Sequence, residues 1–175
     1  MSDGAAELIH DKVNEAFPGA VVEVIDFRDE RTLVIAQEYL RAICQFLHDD
    51  EALQFNLLSD IVADDMLPEF PRFAVNYHLY SIPKNHSIRL RIEVEEPEEG
   101  PETLASVWPI ATWLEMEVWD LMGIRFEGNN KLRRLFLPED WQGFPLRKDY
   151  PLGYEEVQFS FNWQAIDAKK PYAKD

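Results

Sequence analysis

Glu115, Glu117 and Asp120 stand close together in the run VWPIATWLEMEVWDLM, residues 107–122. Carboxylates grouped in this way could serve as general acid and base, or could pair with Arg and Lys. On a helix, Glu117 and Asp120 lie at i and i+3 and share a face, whereas Glu115 and Glu117 at i and i+2 point apart. Two carboxylates that point apart do not straddle one scissile bond, so a stand-alone acid–base enzyme is the weaker reading. Glu117 and Asp120 also fall toward the negative end of the helix dipole, where each carboxylate costs about 0.3–1 kcal/mol. Such a face calls for cations, and Arg125, Arg133, Arg134, Arg147 and Lys148 follow soon afterwards. The expected chemistry is an ion-pair network that holds this helix to the chain behind it, with Arg forks gripping carboxylates bidentately.

Other chemistries find little support. The histidines are His10, His48, His78 and His86, and none forms H-x-x-x-H or H-E-x-x-H. Cys44 is the single cysteine. One thiol cannot build a disulfide framework, a Cys-ligated iron–sulfur cluster or a Cys-rich zinc site within this chain. It falls on an apolar helical stripe, where a buried inert thiol is expected. Neither a glycine-rich phosphate loop nor a G-x-S-x-G nucleophile elbow is present. The run from Glu93 to Glu102 holds six Glu and reads as a solvated, self-repelling loop.

The elements that must position the carboxylates follow from periodicity. The chain has 175 residues, 46% of them hydrophobic, with 11 Phe and 5 Trp, enough for one core and too apolar for disorder. Its 33 acidic and 17 basic side chains give a net charge of −16, which disfavours nucleic acid. No apolar stretch approaches 18 residues and no basic n-region precedes an apolar segment, so a cytosolic chain is the default expectation. Ala5, Leu8, Ile9, Val13 and Phe17 mark a helix over 5–17 that stops at Pro18-Gly19. Residues 20–27 and 31–36 read as strands, 37–48 as a helix, and 53–66 as a segment that includes a strand. Residues 72–82 and 88–95 alternate as a hairpin pair, with Ile88, Leu90, Ile92 and Val94 facing inward. Residues 107–122 read as a helix with Pro109 in its first turn, the apolar stripe Ala111, Leu114, Val118, Leu121 and Met122, and a stop at Gly123. The expected architecture is an α+β domain over 1–122, with two or three helices on a mixed sheet of four or five strands. Residues 123–175 have no sustained period and are rich in Pro and aromatics, which reads as an extended docking arm.

The stretch WLEMEVWDLMGIRFEGNNKLRRLFLPEDWQGFPLRKDYP, residues 113–151, resembles the thirty-kilodalton subunit family of respiratory complex I, the C subunit of bacterial NADH-quinone oxidoreductase. RFAVNYHLYS and SVWPIATW extend the likeness upstream. The joint occurrence of E-x-E-x-x-D-x-x-G-I, L-R-R-x-x-L-P-E-D-W and P-L-R-K-D-Y-P makes it specific. Met116 stands where the family usually has Arg, and the run Gly128-Asn129-Asn130-Lys131 stands where the family usually has a G-H-P-type turn before the L-R-R.

The resemblance implies a subunit with no redox cofactor of its own; FMN, iron–sulfur clusters, NADH and quinone are handled by other subunits. It implies a peripheral place on the cytoplasmic side of the cell membrane, with membrane association only through the complex. It also implies partners in the quinone-reducing module, chiefly subunits D and B. The matched residues expected to hold helix, arm and interface in place are Glu115, Glu117, Asp120, Arg125, Arg133, Arg134, Pro138, Glu139, Asp140, Trp141, Pro145, Arg147, Lys148, Asp149 and Tyr150. The related alternative is the equivalent subunit of a membrane-bound hydrogenase-type or ferredoxin-dependent photosynthetic complex.

Overall fold

The structure, a computed structural model, describes residues 3–28 and 30–151. Eight regular elements follow in chain order: α1 (Asp3–Ala16), β1 (Val21–Phe27), β2 (Glu30–Ile35), α2 (Leu40–Asp49), β3 (Leu57–Asp65), β4 (Phe73–Ser81), β5 (His86–Val94) and α3 (Ala111–Met122). The strands form one sheet in the order β1-β2-β5-β4-β3. β2 and β5 are parallel and every other neighbouring pair is antiparallel. The protein is thus α+β, with a mixed five-stranded sheet and three α-helices among the described residues.

The core forms where the apolar periods of helix and strand meet. Ile9 and Val13 of α1 and Leu40, Ile43 and Leu47 of α2 are fully buried against Leu33, Val75, Tyr77 and Leu90. In β5 the expected set Ile88, Leu90, Ile92 and Val94 is buried, while Ser87 and Glu93 are exposed. β4 buries Ala74 and Asn76 as well as its core-facing residues; the Asn76 amide donates to Asp64 at 2.9 Å and so has a partner for its burial. Cys44 is fully buried, and burial pushes its thiol pKa far up, which leaves it unreactive.

The third helix departs from its expected form in two ways. It begins at Ala111 rather than residue 107. Val107 and Trp108 both donate backbone N–H groups to the Leu104 carbonyl, and Thr112 donates to Pro109, so Pro109 lies in a tight turn before the helix. The Trp108 indole, tied to the Phe55 carbonyl at 3.1 Å, anchors that turn. Second, the buried face includes Glu115, Met116 and Asp120, whereas Leu114 and Leu121 are only half-buried. The reason is that residues 123–151 fold back and cover the side of α3 that would otherwise face water.

Gly123 makes this reversal possible. Its φ of 76° is left-handed, and its N–H closes the helix on the Trp119 carbonyl. A Cβ there would stand 2.5 Å from an Arg147 guanidinium nitrogen and 2.6 Å from the Phe144 ring. Gly123→Ala is therefore expected to lose roughly 1–2 kcal/mol from backbone strain alone. For a chain of this size each kcal/mol lowers Tm by about 2–4 °C, which a thermal melt of the purified protein will show.

Candidate functional site

The two buried carboxylates of α3 are satisfied in different ways. Asp120 is fully buried. One oxygen accepts three successive backbone N–H groups, from Leu135 at 3.0 Å, Phe136 at 2.7 Å and Leu137 at 3.1 Å. Consecutive N–H groups converging on one oxygen make an anion nest. The other oxygen pairs with Arg134 at 3.1 Å. Burial by itself would raise the Asp120 pKa, but the three N–H groups and Arg134 outweigh it and hold the carboxyl below its ordinary value. Arg134 also donates to the carbonyls of Asp120, Trp141 and Gly143 at 2.8, 2.9 and 3.0 Å. Its guanidinium carbon lies 5.4 Å from the Trp119 ring centre and 5.2 Å from that of Phe144, within cation–π range.

Glu115 meets no cation among the described residues. Its carboxylate accepts the Thr103 hydroxyl at 2.6 Å, the Leu104 N–H at 2.7 Å and the Asn129 amide at 2.9 Å. Burial raises its pKa, and these three donors only partly offset that. Asn129, from the segment that replaces the expected G-H-P-type turn, thus ties the start of the arm to α3. Met116, in place of Arg, is buried without a polar partner to find.

A second cluster joins the arm to the sheet. Arg72 grips Asp65 bidentately, at 3.1 and 2.8 Å. Its fork also reaches Asp149 of the arm at 3.0 and 2.8 Å. Asp65 accepts further N–H groups from Leu67 and Lys148, and the Lys148 ammonium bonds the Leu67 carbonyl at 2.8 Å. The Arg72 fork beside Asp65 holds that carboxyl far below the usual range despite its burial. Arg147 donates to the Met122 carbonyl at 2.7 Å and stacks on Phe144 at 4.6 Å and Phe73 at 5.3 Å. Its cation therefore lies at the negative end of the α3 dipole.

The sequence-predicted residues sort accordingly. Asp120 and Arg134 pair directly, and Arg147, Lys148 and Asp149 meet the helix end and the Asp65–Arg72 pair. Glu117 is half-buried and makes no ion pair with any described residue, whereas Arg125 and Arg133 are exposed. The Pro138 carbonyl receives the Trp141 N–H, and Trp141 stacks on Tyr150 with centroids 6.5 Å apart. Glu139 and Asp140 are exposed and Pro145 is half-buried. Sequence reasoning missed Asp65, Arg72, Thr103 and Asn129. Asp65 and Arg72 bracket an irregular Pro-containing turn, and the other two are neutral donors with no periodic signal. The arm beyond residue 151 lies outside the described residues.

Comparison with known proteins decides the family. Residues 33–156 match the family described as "Respiratory-chain NADH dehydrogenase, 30 Kd subunit". The chain belongs to that family. Within it, the chain is 40% identical to the C subunit of NADH-quinone oxidoreductase from Roseiflexus sp. (strain RS-1), over 94% of this chain and 95% of that one. It is 45% identical to the corresponding NADH-quinone oxidoreductase protein of Geotalea uraniireducens (strain Rf4), covering 81% and 85% respectively. Among solved structures it resembles "Nqo5 of the trypsin-resistant fragment (1-134) in P63 form" with TM-score 0.59 and 30% identity, over 73% of this chain and 98% of that one. It shares its fold with a chain of the membrane-bound sulfane sulfur reductase, an archaeal respiratory membrane complex, with TM-score 0.71 and 20% identity over 98% and 96%. In this thirty-kilodalton family member, no described helix is long and apolar enough to cross a membrane. No group of three or more His, Cys, Asp or Glu among the described residues could hold a metal.

Proposed function

We propose that this chain is a structural subunit of a proton-pumping NADH-quinone oxidoreductase. It carries no redox centre of its own and buttresses the quinone-reducing module, chiefly subunits D and B, on the cytoplasmic side of the cell membrane. FMN, iron–sulfur clusters, NADH and quinone belong to the companion subunits. The observation that carries this reading is the state of the buried carboxylates. Asp120 and Glu115 have their oxygens occupied by donors from residues 103–104 and 129–137 of the same chain. Carboxylates so engaged fasten an arm. A single cysteine is likewise too few thiols to hold a cluster.

Residues 1–122 act as the body and 123–175 as the docking arm. The solved relative described as a trypsin-resistant fragment supports a body that holds together apart from its tail. The described part of the arm is fastened through Arg134 and Arg147, while Phe136 and Leu146 remain 63% and 59% exposed, a surface suited to a partner. The hydrogenase-type alternative is disfavoured by the 40–45% identity to NADH-quinone oxidoreductase proteins.

The test is affinity purification of the tagged chain from its native membrane in mild detergent. Subunits of the quinone-reducing module are expected to remain bound. Recovery of the chain alone would overturn the proposal, and recovery of a nickel–iron large subunit would move it to the alternative complex.

A further inference from the structure

Residues 128–132 separate two open grooves of opposite character. One, of about 980 Å³, is lined by Glu98, Glu99 and Glu127 with Arg125 as its single cation. The other, of about 1000 Å³, lies between the start of α3 and the arm; Lys131 and Arg133 line it, and no acidic residue does. Its lining is mixed: Trp113, Leu132 and Pro109 supply apolar surface beside Thr112, Asn129 and Asn130. Trp113 is 51% exposed, and Ile110 beside it is 47% exposed.

Two features of this groove suit it to a partner. The chain carries −16, yet here two exposed cations stand without an ion pair to any described residue. A half-exposed Trp flanked by Arg is also the side-chain combination that dominates binding energy at protein interfaces. We infer that the basic groove between α3 and residues 128–133 receives an acidic, apolar-tipped segment of a neighbouring subunit: an aliphatic or aromatic side chain packs on Trp113, and carboxylates meet Lys131 and Arg133. A second copy of this polyanionic chain is a poor occupant, because its net charge would be brought against an equal one. An anionic bilayer is poorer still, since the chain as a whole repels it.

The inference rests on the assembly proposed above only in taking the occupant from a neighbouring subunit. It is tested on the intact complex, purified in mild detergent and treated with a carbodiimide, which joins a lysine amine to a contacting carboxylate as an amide. Peptide mass spectrometry is expected to find Lys131 joined to an Asp or Glu of another subunit. Combining Lys131→Glu with Arg133→Glu is expected to lower retention of that subunit at least tenfold in a salt wash, and Trp113→Ala is expected to lower it as well. The cross-link is read on the unsubstituted protein, so it stands even if a variant fails to fold. An intact complex in which Lys131 links only within its own chain, to a second copy, or to nothing overturns the groove while the assembly stands. A chain recovered alone overturns both.

Discussion

Asp120→Ala is expected to cost about 3–5 kcal/mol, the usual loss when one member of a buried charged pair is removed, and to release the arm from α3. The substitution leaves Arg134 beside a void and strips the N–H groups of Leu135, Phe136 and Leu137 of their shared acceptor. Part-buried donors that lose their acceptor are costly to the extent that packing keeps water from them. Asp120→Asn retains one oxygen for the three N–H groups but presents an amide to the Arg134 side, so a smaller loss is expected. Urea unfolding of the full chain reads the difference, and tryptic cleavage after Arg133, Arg134 and Arg147 reports detachment of the arm. In the complex, the variant should impair assembly before any electron-transfer step. A variant that assembles normally yet blocks quinone reduction would show that Asp120 does more than fasten.

Arg72→Ala is expected to be comparably severe, again about 3–5 kcal/mol. Asp65, whose side chain is only 2% exposed, would keep two backbone donors and lose its bidentate cation. The contact to Asp149, which is half exposed, contributes little on its own. Arg72→Lys should rescue only a fraction, because an ammonium cannot span two carboxylates as a planar fork does. The same pair sets the acid response. The folded-state pKa of Asp65 lies below its unfolded value of about 3.9. Its contribution is therefore fully present above that pH and is lost as pH falls toward the folded value. Asp120 and Asp149, also depressed, act in the same direction. Glu115 acts oppositely, since its raised pKa means that protonation on acidification favours the folded state. Acid titration of stability should thus be shallower in Arg72→Ala than in the natural protein.

The burial of the charge left behind explains why these two sites outweigh Gly123 in expected effect. A strained backbone relaxes in part when the neighbouring Phe144 and Arg147 side chains shift. Asp65 stripped of its cation, and Arg134 stripped of its anion, have no such relief, because little solvent reaches either.

Much of the scaffold was legible from residue order alone. The alternation of Ile88, Leu90, Ile92 and Val94, the 3.6-residue stripe of Leu40, Ile43, Cys44 and Leu47, and the Gly123 stop are local signals. A strand or helix half-buried on one core displays its period in the sequence. At α3 the period found the stripe of Ala111, Val118 and Met122, with Leu114 and Leu121 packed beside it, but not the burial of Glu115, Met116 and Asp120, because a period identifies one buried face only when the opposite face meets water. Here the arm covers that second face.

Residue order therefore determined the α+β class, the strand and helix succession, the family likeness and the need of α3 carboxylates for partners. Tertiary structure alone decided which partners. It brought Arg134 and three backbone N–H groups to Asp120, gave Glu115 neutral donors in place of a cation, and set Arg72 between Asp65 and Asp149 across more than seventy residues of chain. A carboxylate's charge is written in its residue type. The donors that meet it are set by how distant segments fold back, and no local period records that.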